Sequence, residues 1–147
     1  ANLVPLPAPF RASVMLWLGR VYLESKQIDL AIEALKRSLN FYQQAEADKH
    51  DDAGLAAAHA ALGRALVNEG DLLAARDQLH RALLSARRAG NVRWQAEAHY
   101  LVGKADWKEG DFEGARYNWA RAARMAEEAG DALLEGRIQL QEGLVLY

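Results

Sequence analysis

The sequence predicts an all-α fold of antiparallel helix pairs, and two patterns of glycine with one of apolar residues predict it. A glycine followed at once by Asp or Asn recurs at Gly70-Asp71, Gly90-Asn91, Gly110-Asp111 and Gly130-Asp131, so a helix stop and a helix start fall together every 20 residues. Glycine takes the left-handed conformation that closes a helix, and Asp or Asn accepts hydrogen bonds from the free N–H groups that open the next. A second set, Gly19, Gly63, Gly103 and Gly143, lies inside the helical stretches at spacings of 44, 40 and 40. Apolar residues recur at three- and four-residue steps, as in Leu62, Ala65, Leu66 and in Leu79, Ala82, Leu83, Ala86, which is helix periodicity and not strand alternation. Helices of about 18 residues are roughly 27 Å long, and two of them fill each 40-residue unit.

Residues 1–10 hold all three prolines, Pro5, Pro7 and Pro9, and are expected to form an extended leader. Its Leu3, Val4, Leu6 and Phe10 are apolar enough to strap it onto the first helix or lay it in a groove. Helix one is expected over 11–25, a turn at Lys26-Gln27, and helix two over 29–47. The second pair is expected over 52–69 and 72–89, the third over 92–109 and 112–129, and a seventh helix after Asp131. The units thus span about 12–50, 52–90 and 92–130, followed by a terminal helix over 131–147. His50 with Asp51 and Asp52 reads as a solvated loop with an N-cap. Trp17 and Trp94, near the starts of their units, are expected to pack between units.

Composition excludes several classes of function. At 147 residues, 51% hydrophobic and 26% charged, the chain can bury a core within one domain. A net charge of −2 gives no general attraction to nucleic acid or to an anionic membrane. No apolar run approaches the roughly 18 residues of a membrane span. Cysteine is absent, which removes disulfides, thiol catalysis and cysteine metal sites. No signal peptide is visible, so a cytoplasmic location is expected. Arg outnumbers Lys 13 to 5 and Ala is abundant, a composition of GC-rich bacterial genes. The chain opens on Ala1 without Met, so a longer or processed parent protein is expected.

No catalytic motif stands out. There is no Gly-x-Ser-x-Gly, no phosphate-cradling glycine loop and no His-Glu-x-x-His, so no enzyme activity and no cofactor are expected. His59 and His99 occupy equivalent positions in adjacent units, but a metal would need third and fourth ligands. They are expected to be packed imidazoles. Arg76, Arg81, Arg87 and Arg88 read as a solvated outer face, with Arg87 and Arg88 complementing a helix C-terminus.

Alignment on the mid-helix glycines gives the strongest signal. Twelve residues after them come Ala31, Ala75 and Ala115; sixteen after, Leu35, Leu79 and Trp119; nineteen after, Ser38, Ala82 and Ala122. Small residues inside helices cost helix propensity unless close helix approach needs the space. The third unit, AEAHYLVGKADWKEGDFEGARYNWARAA, resembles the tetratricopeptide repeat, with its Trp-x-x-Leu-Gly-x-x-Tyr helix, Gly-Asp-aromatic turn and Ala-x-x-x-Phe-x-x-Ala helix. The second, HAALGRALVNEGDLLAARDQLHRAL, is similar, and the first has Lys26-Gln27 in place of the turn's Gly-Asp. The resemblance covers about 12–147. The 40-residue period resembles the long-helix variety of spindle-orientation adaptors and of large bacterial signalling regulators of the maltose-activator type. Asp106 and Glu142 stand where the family prefers apolar or aromatic residues; Asp106 is expected near a solvent channel or beside an Arg.

The resemblance implies a right-handed superhelix of about seven helices whose first helices line a concave groove. It also implies that residues at set offsets from each glycine point into that groove. One after the glycine are Arg20, Arg64 and Lys104, a row of cations. Four after are Leu23, Val67, Trp107 and Tyr147, and five after are Glu24, Asn68 and Lys108. Three before are Leu16, Ala60, Tyr100 and Leu140, and six before are Ser13, Ala57, Glu97 and Arg137. The candidate peptide-binding set is therefore Arg20, Leu23, Arg64, Asn68, Tyr100, Lys104, Trp107, Lys108 and Arg137, with Tyr100 and Trp107 as an aromatic floor. Such a surface suits an acidic peptide or protein segment, since Arg takes carboxylates bidentately and aromatics add area at small entropic cost. The opposing view is that Glu24 and Glu97 merely neutralise the row. An alternative role is a regulatory or self-assembling segment of a larger bacterial signalling or transcription-regulating protein. The last helix carries Leu133, Leu134, Ile138, Leu140 and Leu144 without a polar cap, so further repeats or a homodimer through that helix are expected.

Overall fold

The computed structural model describes residues 5–45 and 51–146, the last two in backbone only. Seven α-helices and no strand occur among the described residues: α1 (Ala8–Glu24), α2 (Ile28–Gln44), α3 (Asp52–Glu69), α4 (Leu72–Arg88), α5 (Val92–Lys108), α6 (Phe112–Ala129) and α7 (Ala132–Leu146). Successive helices pack as hairpins, α1 with α2, α3 with α4 and α5 with α6, and each hairpin leans on the next through α2·α3, α4·α5 and α6·α7. The chain is an α-solenoid.

The turns work as their residues dictate. Gly70, Gly90, Gly110 and Gly130 all have positive φ, between 63° and 94°. The residue after each donates its N–H to a carbonyl five positions back, as Asp71 does to Leu66 and Asp111 to Asp106. The same residues then cap the next helix: side chains of Asp71, Asn91, Asp111 and Asp131 accept from the amides of Ala74, Trp94, Gly114 and Leu134. In the first unit Lys26 takes the glycine's place with φ 60°, a conformation a side chain tolerates only at some cost.

The mid-helix glycines set the packing within each hairpin. A Cβ on Gly19 would come within 2.6 Å of the Leu35 side chain, and one on Gly63 within 2.6 Å of Leu79. One on Gly103 would run into the Trp119 indole, whose Nε1–H donates to the Tyr100 carbonyl at 3.1 Å. All three partners are fully buried. The knob of the second helix therefore sits directly on the backbone of the first. Gly143 lies at the equivalent place in α7 and has nothing within 4 Å.

Three expectations are corrected. Helix α1 begins at Ala8, because Pro9 lies in the first turn where a missing N–H costs nothing, and the Pro7 carbonyl accepts from Phe10 and Arg11. The extended leader thus ends at Pro7, and Leu6 and Phe10 are exposed and do not strap it down. Helix α2 stops at Gln44, with Ala45 extended. Trp17 is 66% exposed, since no earlier hairpin leans on α1 among the described residues. Leu3, Val4, His50 and Tyr147 lie outside the described residues.

Gly63→Ala is expected to lower stability in urea unfolding. Overpacking against Leu79 costs about 1–3 kcal/mol, more than the helix-propensity gain of up to about 1 kcal/mol. Gly136→Ala, with nothing within 4 Å, should show the gain alone; equal shifts for the two would refute close packing at Gly63.

Candidate functional site

The first helices α1, α3 and α5 touch one another along the array, whereas α2, α4 and α6 do not pack together. First helices therefore make the tighter, inner layer. A cavity of about 240 Å³ opens on it, lined by Arg20, Leu23, Arg64 and Arg137 together with Glu24, Glu97 and Trp94. Leu23 and Arg64 also face an adjoining hollow with Asn68 and Lys108. Six of the nine sequence-derived candidates thus line two neighbouring depressions that run across α1, α3, α5 and α7.

Charge is concentrated here. Arg64 lies 3.6 Å from Glu24, and Arg137 spans to Glu97 at 3.4 Å, so these acids do partly neutralise the row. In the Arg64 pair Glu24 is exposed and Arg64 half-buried, and at this distance the pair is weak and exchangeable. Lys108 Nζ donates to the Val67 carbonyl at 3.0 Å. Lys104 lines neither depression and forms no salt bridge among the described residues. Burial above all, and then Arg64, Arg137 and Lys108 nearby, push its ammonium below the usual lysine range against a smaller upward pull from Glu97. A half-buried cation among cations is held against an electrostatic penalty.

The aromatic floor is not formed as expected. Tyr100 is only 3% exposed; Arg137 stacks 4.9 Å and Lys104 5.8 Å from its ring centroid, so it props the cations and offers little face of its own. Trp107 is 40% exposed but lines neither depression. The equivalent Leu23 and Val67 are buried by the following first helix, while α7 packs chiefly on α6 and leaves Trp107 open. Arg93 and Trp94 line the cavity as well, and no offset from the glycines signalled Arg93, whose Nε bonds Asp131 at 3.2 Å.

A family model for the tetratricopeptide repeat matches residues 12–44, which are α1, α2 and their turn. This segment is similar to a tetratricopeptide repeat. The match lies on the unit with Lys26-Gln27 in its turn. None of the curated proteins matches the chain. Tetratricopeptide repeats generally mediate protein–protein interaction, and α3–α4 and α5–α6 repeat the α1–α2 hairpin.

Several polar groups outside the inner face have structural partners, whereas the buried His99 Nε2 has none among the described residues. Asp106, 5% exposed, accepts from Arg76 Nη2 at 2.6 Å and from Asn118 Nδ2 at 2.8 Å, and Arg76 also reaches Glu109 at 3.0 Å. An acid in an apolar position of the repeat thus ties α4 to α5 and α6, and Arg76 belongs to this clamp instead of a solvated face. His59 and His99 are buried between helices, with His59 Nδ1 2.8 Å from Gln78 Oε1. Among the described residues no group of three or more His, Asp or Glu side chains is placed to hold a metal ion.

Burial drives both imidazoles below the ordinary value of 6.5. The unfolded chain therefore takes up protons first, so their contribution to stability is complete above 6.5 and is lost as pH falls through the folded values. The urea midpoint should drop between about pH 7.5 and about pH 5.5, and the drop should shrink in His59→Gln/His99→Gln. An identical drop in that variant would contradict the assignment.

Proposed function

We propose that the inner groove binds an acidic peptide or protein segment and that the chain acts as a non-enzymatic interaction module. The observation that carries this reading is the row of Arg20, Arg64 and Arg137 along one cavity, with Lys104, which lines neither depression, half-buried nearby and without a carboxylate within salt-bridge distance among the described residues. Stability alone does not favour such a cluster, because each cation raises the cost of the others. An incoming carboxylate removes that cost. It can displace Glu24 from Arg64 with little loss, since a pair at 3.6 Å with Glu24 exposed contributes little. The cavity of about 240 Å³ takes one or two side chains and not a folded surface, which suits a short segment. Arg20 at one end and Arg137 at the other extend the positive row over three units, and apolar Leu23 and Trp94 on its walls take the segment's non-polar atoms.

The test uses fluorescence anisotropy with a panel of labelled glutamate- and aspartate-rich peptides against matched neutral ones. Acidic peptides should bind with an affinity that falls with added salt, and Arg64→Glu/Lys104→Glu should weaken it by at least about tenfold, roughly 1.4 kcal/mol, with unchanged helical circular dichroism. Equal binding by the wild type and the double variant would refute the groove reading.

A further inference from the structure

We propose that a cavity between α4, α5 and α6, apart from the inner groove, binds a small uncharged apolar molecule bearing one hydroxyl, which bonds the imidazole of His99. The cavity holds about 280 Å³, and its wall is mostly apolar, with Leu79, Leu83 and Val102. His99 lines it too, with Asn118, His80 and Arg76. The ring of His99 is 8% exposed, yet its Nε2 has no hydrogen-bond partner among the described residues. A buried polar atom left unpaired costs stability, so native chains keep few of them.

The repeat shows how the space arises. Forty residues earlier, Leu62 stands at the place of Val102 and Gln78 at that of Asn118. Leu62 is fully buried, and Gln78 reaches the equivalent His59, Oε1 to Nδ1, at 2.8 Å. Leucine to valine and glutamine to asparagine each remove one methylene. Both shortened side chains line the cavity. Asn118 turns its amide instead to Asp106 at 2.8 Å and to the Gly114 carbonyl at 3.1 Å.

The surrounding groups decide the ligand's chemistry. Arg76 is already engaged by Asp106 and Glu109, so its charge is met without an anion. His80 and His99 are two groups that can bind metals, and no third His, Asp or Glu joins them among the described residues. Burial lowers the imidazole's affinity for protons more than the nearby Asn118 raises it, so His99 is neutral at pH 7. A neutral imidazole presents an N–H or a lone pair at Nε2 according to its tautomer, and a hydroxyl, which both donates and accepts, matches either. Since an apolar cavity of about 150 Å³ takes benzene, one of about 280 Å³ has room for a phenol or a cyclic alcohol.

Histidine-ring NMR spectra of the full chain test this as p-cresol, cyclohexanol or toluene is added, each up to about 5 mM. The two hydroxyl compounds should move the His99 ring signals saturably and leave those of His59 in place. Toluene, which is p-cresol without its hydroxyl, should bind at least about threefold more weakly for want of one hydrogen bond. Val102→Leu, which restores the residue of the preceding unit, should weaken p-cresol binding at least about tenfold by filling the cavity, and circular dichroism checks that its helices are kept. His99→Phe should bind p-cresol and toluene alike, and it decides the matter if Val102→Leu does not fold. His99 signals that stay in place at the highest p-cresol concentration, or equal affinities of the wild type for p-cresol and toluene, overturn the inference. So does undiminished binding to a folded Val102→Leu chain, or a His99→Phe chain that still prefers p-cresol.

Discussion

Everything in this solenoid hangs on one contact, repeated three times: a large side chain of a second helix resting on the bare backbone of a glycine in the first. Leu35 on Gly19, Leu79 on Gly63 and Trp119 on Gly103 fix how near the two helices of a hairpin come and in what rotation. Because close-packed interiors tolerate neither gap nor excess, a glycine there is worth its loss of helix propensity. The constant sixteen-residue offset from glycine to knob then fixes the rotation of each first helix. Side chains just after the glycines, Arg20, Arg64 and Lys104, are carried along the inner layer as a consequence.

The inner layer and the hairpin interfaces treat charge in opposite ways. Between α4, α5 and α6 the buried Asp106 is fully matched by Arg76 and Asn118, as a buried carboxylate must be. On the inner face Lys104 is crowded by like charge and propped on Tyr100, while Arg64 and Arg137 have only long or exposed pairs. One region pairs its charges closely and the other does not. That contrast within a single small array is what distinguishes the groove from ordinary solvated surface.

Much of the fold was legible because its signals are local or strictly periodic. The Gly-Asp turns reach the structure unchanged, since a left-handed residue and an N-cap need nothing beyond a few neighbours. The partnership of Gly103 with Trp119 was readable from the sixteen-residue offset alone. The alternatives for Asp106 included its pairing with an Arg, though not which one, because Arg76 comes from another hairpin. What failed depends on neighbours that periodicity does not supply. Trp17 and Trp107 occupy positions that are covered in other units, and both lie open because no equivalent helix covers them. Tyr100 points inward as expected but lies beneath Lys104 and Arg137, and a list of offsets cannot tell which of two side chains on one face will overlie the other. The start of α1 at Ala8 was missed because proline reads as a breaker everywhere except in the first turn.

The central claim is that anion recognition resides on the inner face of α1, α3, α5 and α7. Amide and side-chain NMR spectra of the chain, recorded while a glutamate-rich peptide is titrated in at low salt, test it most directly. Shifts gathered on Arg64, Tyr100, Lys104 and Arg137 are the predicted result, reversed by added salt as the screening length shortens. Shifts confined to α2, α4 and α6, or none at saturating peptide, would contradict it.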